Sequence, residues 1–373
     1  MIINSITADG YKNLENVRIE LDPKMNIICG ENAQGKTNLI EAVWLCSGCR
    51  SFRGTREKDF IGFTKDAAKV GIIFSDNERK QEISFSVKKE SMKEKTVNLN
   101  GVKLPLLSKL FGSFRCVVFT PEDLDLTKGT PDVRRHFLDL SISQIKPSYI
   151  NALNKYNTIL SHRNALLKSM NKVQDESTSY LDVWNEQIAE AGAYISVLRY
   201  NFCSLLNEYT KKLYSSITNG KENLKTDYHS TVYENLEGER DIKGKLTEIY
   251  LKKLKSSTMT DLKLGFTSVG VHRDDLTVHI NDLPVREFGS QGQARSAALS
   301  MKLAHAQILK AEYKENPVIL LDDVFSELDP MRQRFILNNI EDMQVLITCC
   351  DSKFITDMKD GKVFVMKKGK VCE

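Results

Sequence analysis

Apolar and polar positions divide this chain into regions of different period. Along 1–29 the apolar residues alternate or run briefly, which predicts strands at Ile2–Thr7, Val17–Leu21 and Asn26–Cys29. Between Thr37 and Leu45, Leu39, Ile40, Val43 and Trp44 fall at helical intervals. Segments 68–75, 81–88 and 95–99 alternate again, with Ile83, Phe85 and Val87 on one face, and Asn100-Gly101 is a hairpin turn signal. Phe114–Phe119 reads as a buried strand. Thr130-Pro131 then predicts a helix start, with Thr130 as cap and Pro131 in the first helical position.

The clearest period lies in 149–209. Tyr149, Leu153, Tyr156, Leu160, Leu167 and Met170 recur every three or four residues, interrupted by Arg163. A second run, from Leu181 and Trp184 through Ile188, Ile195 and Phe202 to Tyr209, continues without a break. The polar stretch 171–179 between them has the character of a tip loop, so the two helices are expected to fold back as an antiparallel coiled-coil hairpin. The arm from Tyr149 to Met170 would be about 33 Å long at ~1.5 Å per residue. A plain helical bundle is the alternative packing of the same pattern.

Residues 219–245 are polar and aperiodic, and read as a connection. Beyond them, Gly265–Val269, Leu276–Ile280 and Leu283–Arg286 are expected strands, followed by a long helix through about Ala311. Val318–Leu321 is an apolar strand, Gln344–Cys349 another, and a hairpin through Val363–Met366 and Val371 closes the chain.

Composition changes this picture little. The chain has 373 residues, 41% hydrophobic and 27% charged, with a net charge of +4. That suits a globular protein of about two domains, and any nucleic-acid surface must come from local clustering of charge. No apolar run is long enough to span a membrane, and the first residues lack the pattern of a signal peptide, so a cytoplasmic location is expected. Eight cysteines in a chain of this size do not form a disulfide scaffold. Cys29, Cys116 and Cys203 read as buried thiols, Cys349-Cys350 as strand-end packing, and Cys46-Ser47-Gly48-Cys49 lacks the second ligand pair of a zinc site.

The chemistry concentrates at a few points. Gly30-Glu31-Asn32-Ala33-Gln34-Gly35-Lys36-Thr37 is a complete G-x-x-x-x-G-K-T loop between a strand and a helix. Such a loop turns successive N–H groups and a helix N-terminus toward a phosphate chain. Lys36 is expected on the β/γ-phosphates and Thr37 on Mg²⁺, so the chain is expected to bind a nucleoside triphosphate. Val318–Leu321 ends on Asp322-Asp323, the Walker-B pattern, with Asp322 for Mg²⁺ and Asp323 for the attacking water. The turn Ser290-Gln291-Gly292-Gln293 opens a helix and is also phosphate-seeking. Because it cannot easily share the phosphates of Gly30–Thr37, a second molecule is its natural owner. Arg50, Arg53 and Arg56 surround Phe52; they suit nucleotide or DNA phosphates, or form a solvated loop. The acids of Pro121-Glu122-Asp123-Leu124 read as a solvated turn.

Taken together these residues resemble the RecF family of bacterial recombination and gap-repair ATPases, which have an ABC/SMC-type head. The resemblance runs through the whole chain. It rests on Gly30–Thr37, Pro121–Leu124 to Lys128-Gly129 with Arg134-Arg135, Ser161-His162-Arg163-Asn164, His272-Arg273-Asp274-Asp275, Ser290–Gln293 and Leu321–Asp329. It implies an α/β fold: a mixed-sheet P-loop head with a flanking antiparallel sheet, formed from 1–130 and 250–373, and an inserted all-helical coiled-coil arm lobe at 131–249.

The resemblance also implies two heads sandwiching two ATP molecules, each on Lys36 and Thr37 of one copy and capped by Ser290, Gly292 and Gln293 of the other. It implies weak ATPase activity, ATP-dependent binding of gapped or junction DNA, and joint action with RecR and RecO to load RecA. Arg50, Arg53, Arg56, Arg134 and Arg135 are the DNA-contact candidates. Gln291 and Asp323 stand where transporter ATPases more often carry Gly and Glu. Thr348-Cys349 stand where a histidine often senses γ-phosphate, which suits slow hydrolysis, and Phe52 and Gly54 depart from the expected His and Thr. The short hairpin disfavours a purely architectural SMC-like role, a transporter subunit would need a membrane partner, and a nuclease would need another acidic cluster.

Overall fold

The computed structural model describes residues 1–48, 51–55, 57–90, 95–173, 178–350 and 361–372. The chain forms two compact units. One comprises Met1–Leu124, Ser216–Asn219 and Arg295–Glu373, the other Asp125–Ser215 and Gly220–Ala294. The second unit therefore extends past the expected boundary at 249/250.

The first unit holds two six-stranded sheets. One is antiparallel, in the order β2-β1-β4-β5-β6-β7: β1 (Ile2–Asp9), β2 (Val17–Glu20), β4 (Ala67–Ser75), β5 (Lys80–Lys88), β6 (Lys95–Leu99) and β7 (Val102–Leu104). Its strands alternate as expected: Ile83, Phe85 and Val87 of β5 are buried and their neighbours are not. The other sheet runs β15-β14-β3-β13-β12-β8: β3 (Met25–Cys29), β8 (Cys116–Phe119), β12 (Val318–Leu321), β13 (Val345–Cys349), β14 (Lys362–Lys367) and β15 (Lys370–Cys372). It is parallel from β14 to β8, with β15 antiparallel at the edge. Strands β8, β12 and β13 are buried along their whole length, as parallel strands covered on both faces must be.

Strand order decides where the chemistry meets. The phosphate-loop strand β3 and the acid-bearing strand β12 are not neighbours; β13 lies between them. Cys349 sits opposite Cys29 on one side, and Ile347 opposite Leu321 on the other. Helix α1 (Lys36–Leu45) follows the loop, and α9 (Pro330–Asn339) follows the acids. Asp329 caps α9 by accepting from the Arg332 N–H at 3.0 Å. Asp123, read from sequence as part of a solvated turn, instead accepts from the Thr120 N–H and pairs with Lys302 at 3.0 Å.

The second unit contains the one-turn helices α2 (Asp125–Lys128) and α7 (Val285–Phe288), and α3 (Pro131–Ile145), α4 (Ser148–Val173), all but the last two residues of α5 (Asp182–Ile217), and α6 (Thr247–Leu264). Helix α8 (Gln291–Tyr313) begins in it. Helices α4 and α5 run antiparallel, as cross-contacts show: Ser148 to Tyr194 at 3.2 Å, Lys155 to Glu190 at 4.0 Å, and the His162 and Trp184 rings at 5.2 Å. Near the hairpin end, Leu167, Met170 and Leu181 close over Leu262, so α6 forms a third wall.

Several expectations are corrected here. The lobe is not all-helical: β9 (Leu224–His229), β10 (Asp275–Ile280) and β11 (Leu283–Pro284) form an antiparallel sheet in the order β11-β10-β9. Its first strand lies in the stretch read as a mere connection. Thr130 stands at the start of α3, but its side chain makes no capping bond. Gly265–Val269 is not a strand, because side chains take its backbone groups. Asn164 accepts from the Thr267 N–H at 2.8 Å, and Asp261 from the Ser268 N–H at 2.9 Å.

The interruption at Arg163 has a clear cause. Its guanidinium is fully buried and donates to Asn185 at 2.8 Å, Asp261 at 2.8 Å and Thr267 at 2.7 Å, joining four segments. Arg199 does the same one level away, donating to Tyr149, Asp139 and the Val271 carbonyl at 2.9, 2.8 and 2.5 Å.

Burial also sets a pH dependence. In α8, His305 is 4% exposed, and burial pulls its pKa down from the ordinary 6.5 to about 3. Its folded form stays neutral while the unfolded form takes up a proton below 6.5. Stability is therefore complete above pH 6.5 and falls as pH drops toward 3, by up to about 1.4 kcal/mol per pH unit. His305→Phe is expected to flatten that acid-side slope, read from urea midpoints at pH 7.5, 6 and 5; an unchanged slope would show that His305 does not carry it.

Candidate nucleotide-binding site

The phosphate loop leaves the end of β3 and is closed by strain and by neighbours. Ala33 adopts φ 64° and Gly35 φ 108°, so successive N–H groups turn toward one side. A Cβ at Gly35 would come within 2.9 Å of the Asn13 Oδ1 as well as being conformationally strained. Asn13 itself donates to the Ala33 carbonyl at 3.1 Å and accepts from Asn38 at 2.7 Å. On the far side, the Gly369 N–H donates to the Gln34 carbonyl at 3.0 Å, so the terminal hairpin also braces the loop.

Lys36 is buried, and its Nζ donates to the Gly30 and Glu31 carbonyls at 2.6 and 2.9 Å. It also reaches the Cys350 Sγ at 3.4 Å. Cys350 is thus exposed beside the loop rather than packed at a strand end, whereas Cys29, Cys46, Cys116, Cys203 and Cys349 are buried. Cys49, the other half of the C-x-x-C, lies outside the described residues.

The two motifs meet through hydroxyls. Asp322 is 5% exposed, and burial raises its pKa. Hydrogen bonds from the Thr348 hydroxyl, at 2.9 Å, and from the Thr37 hydroxyl oppose that rise. Thr348 also accepts from the Asp323 N–H at 2.8 Å, while Ser326 donates to the Asp323 carbonyl at 2.7 Å. Asp323 has φ 53°, a strained conformation for a non-glycine residue and one found preferentially at functional sites. Thr37 and Asp322 place two hard oxygen donors in contact at the loop, which fits Mg²⁺ with its remaining positions filled by water and phosphate oxygens. Among the described residues no cluster of three or more His, Cys, Asp or Glu could hold a metal ion unaided.

A cleft of 1270 Å³ opens over these groups, lined by Lys36, Thr37, Asn38, Asp323 and Thr348 together with Lys12 and Arg53. Arg53 is therefore placed among nucleotide-site residues, donating to Asn38 at 3.3 Å. Beneath it, the fully buried Glu41 of α1 pairs with Lys12, and accepts from Tyr11 at 2.9 Å and from Ser51. Sequence reasoning missed Lys12, Asn13 and Thr348. The last was noticed only as the absence of a histidine, and its role follows from β13 lying between the two motif strands.

Ser290, Gly292 and Gln293 stand in the second unit at the start of α8. Ser290 and Gln293 form a reciprocal cap: the Gln293 N–H donates to Ser290 Oγ at 3.2 Å and the Ser290 N–H to Gln293 Oε1 at 2.8 Å. Arg134 and Arg135, the DNA-contact candidates in α3, both have partners within the second unit. Arg134 is 4% exposed and bidentate on Asp275 at 2.8 Å, while the half-buried Arg135 donates to the Asp274 carbonyl at 2.7 Å and pairs with the exposed Asp132. Arg50 and Arg56 lie outside the described residues.

A parallel sheet with a phosphate loop at one strand end, acids at another and a flanking antiparallel sheet defines a P-loop ATPase head of the ABC/SMC type. The comparisons with known proteins agree. The family described as RecF/RecN/SMC N terminal domain matches residues 2–372, and the chain belongs to this family, in its RecF branch. A DNA replication and repair protein RecF of Clostridium beijerinckii is 38% identical over 97% of this chain and 95% of that protein. Its counterpart in Alkaliphilus oremlandii is 38% identical over the full length of both. Among solved structures, the recombination mediator protein RecF-ATPrS of the RecFOR pathway superposes with a TM-score of 0.91 at 35% identity, covering 99% of this chain and 97% of that one. An Smc head domain derived from Pyrococcus furiosus, at 16% identity and a TM-score of 0.54, shares the fold.

Thr348→Val is expected to leave the Asp323 N–H and Asp322 short of a partner and to cost about 1–3 kcal/mol. Thr348→Ser should cost much less. Denaturant unfolding of the two variants side by side checks this, and equal stabilities would remove the bridging role of the hydroxyl.

Proposed function

We propose that this chain is an ATP-binding and weakly ATP-hydrolysing protein of DNA replication and repair, acting as a nucleotide-switched clamp on DNA. The contact of Thr37 with Asp322 beneath the 1270 Å³ cleft carries this reading. It gathers the loop, the lysine and the acids that a Mg²⁺-triphosphate needs. Lys36 neutralises charge on the β/γ-phosphates, Thr37 and Asp322 hold Mg²⁺, and Asp323 orients the attacking water. Mg²⁺, when bound, offsets charge on the phosphate oxygens; the strained Asp323 backbone is held by Thr348, and Asp323 lines the same cleft as Lys36 and Thr37.

Two copies close face to face on ATP, the capped turn at Ser290 of one completing the phosphate site of the other. The likeness to RecF along the whole chain supports a place in the RecFOR pathway. There it acts with RecR and RecO in the cytoplasm to promote RecA loading at single-strand gaps, and slow hydrolysis resets the DNA-bound dimer. No helix among the described residues is long and apolar enough to cross a membrane. With Arg134 buried on Asp275, DNA contact falls to other basic side chains, the part-exposed Arg135 among them.

Ser290→Arg is expected to leave ATP affinity of the monomer within a factor of about two, while abolishing ATP-dependent dimerisation measured by light scattering. Lys36→Ala, the control, should lose both. Full dimerisation by Ser290→Arg would sink the shared site. Asp323→Asn should retain ATP but slow turnover at least ~100-fold, the scale of losing an activating general base; unchanged phosphate release would take Asp323 out of that role.

A further inference from the structure

We infer that Phe63 is the platform on which the base of the bound nucleotide stacks. This rests on the reading of the cleft as a nucleotide site. Phe63 is fully exposed, at 105%, although it belongs to a turn whose neighbours are tied down. It lines the same cleft as Lys36 and Thr37.

The turn that presents Phe63 is rigid and shares its mount with the phosphate loop. The Gly62 N–H donates to the Gly10 carbonyl at 2.9 Å, the Lys12 N–H to the Phe60 carbonyl at 2.7 Å, and the Lys65 N–H closes on Gly62 at 2.9 Å. A Cβ at Gly62 would lie 2.4 Å from the Lys12 carbonyl, so the two strands of chain touch there. Tyr11 and Ile61 form a β-bridge, and the buried Phe60 ring packs 5.4 Å from Tyr11 and 6.2 Å from Phe85.

The same turn between β1 and β2 supplies Asn13, which holds the Ala33 carbonyl of the phosphate loop at 3.1 Å. One support thus carries both the turn that bears the aromatic ring and the phosphate cradle. An aromatic face left wholly in water beside a phosphate site is suited to a flat apolar ligand, and a base supplies one.

The test uses the full chain and calorimetry with Mg²⁺-ATP and Mg²⁺-tripolyphosphate. The wild type should bind ATP about tenfold more tightly than tripolyphosphate, the size of one stacked base. Phe63→Ala should lower ATP affinity to that of tripolyphosphate and leave tripolyphosphate itself unchanged. Phe63→Trp should restore ATP binding, with its added fluorescence quenched by ATP.

If ATP affinity survives Phe63→Ala, the ring is no platform, and a loss confined to dimerisation would assign it to a protein contact instead. Equal weakening of tripolyphosphate would mark a folding effect and overturn the inference too. If the wild type binds tripolyphosphate and ATP equally, only the base platform falls. If it binds neither, the phosphate site falls with it.

Discussion

Asp322 is a carboxylate at the end of a fully apolar strand, 5% exposed, and most of the nucleotide site can be understood as what keeps it there. A buried acid without partners is costly. Here the Thr348 hydroxyl comes from the neighbouring strand β13 and the Thr37 hydroxyl from the start of α1 beyond β3. The parallel register of β3, β13 and β12 brings these three ends to one edge, where open α/β sheets place their ligands. The same arrangement explains why Thr348 can also hold the Asp323 N–H and so stabilise a strained backbone.

A second set of buried charges organises the other unit. Arg163 stands where the apolar spacing of the first helix is interrupted, Arg199 lies buried beside the unbroken run of the second, and each gathers backbone or side-chain acceptors from distant segments. Arg134 on Asp275 extends the pattern to the edge of the small sheet. Such pairs add little net stability over apolar packing but are expensive to break, which suits a lobe that must hold one arrangement. Within the stretches Ser161–Asn164 and His272–Asp275, prominent in the family resemblance, Arg163, Asn164, His272, Asp274 and Asp275 make internal hydrogen bonds.

The turn between β1 and β2 links the parts of the nucleotide cleft. Lys12 pairs with Glu41 of α1, Asn13 supports the phosphate loop, and Gly10 and Tyr11 hold the turn that bears Phe63. The loop carrying Arg53 is tied to the same Glu41 through Ser51. These contacts tie the turn that supports the phosphate loop, the turn that bears Phe63 and the Arg53 loop together around one buried carboxylate.

Local pattern was enough for whatever depends on near neighbours along the chain. Strand alternation at 81–88, the helical period of 149–209 and the contiguous loop Gly30–Thr37 all express interactions within a few residues, and so are written in the sequence. The Walker-B pair was legible because two acids ending an apolar run are costly unless they face a metal or solvent, and a phosphate loop in the same chain calls for that metal. What the linear pattern could not show was partnership: that Thr348 stands between the two motifs, that 265–269 gives its backbone to side chains instead of a ladder, that 224–229 pairs with 275–280, and that Arg134 is bidentate on Asp275. Those outcomes depend on strand order and on which groups become buried together. Hydrogen bonding and desolvation act across space, so only the folded chain decides them.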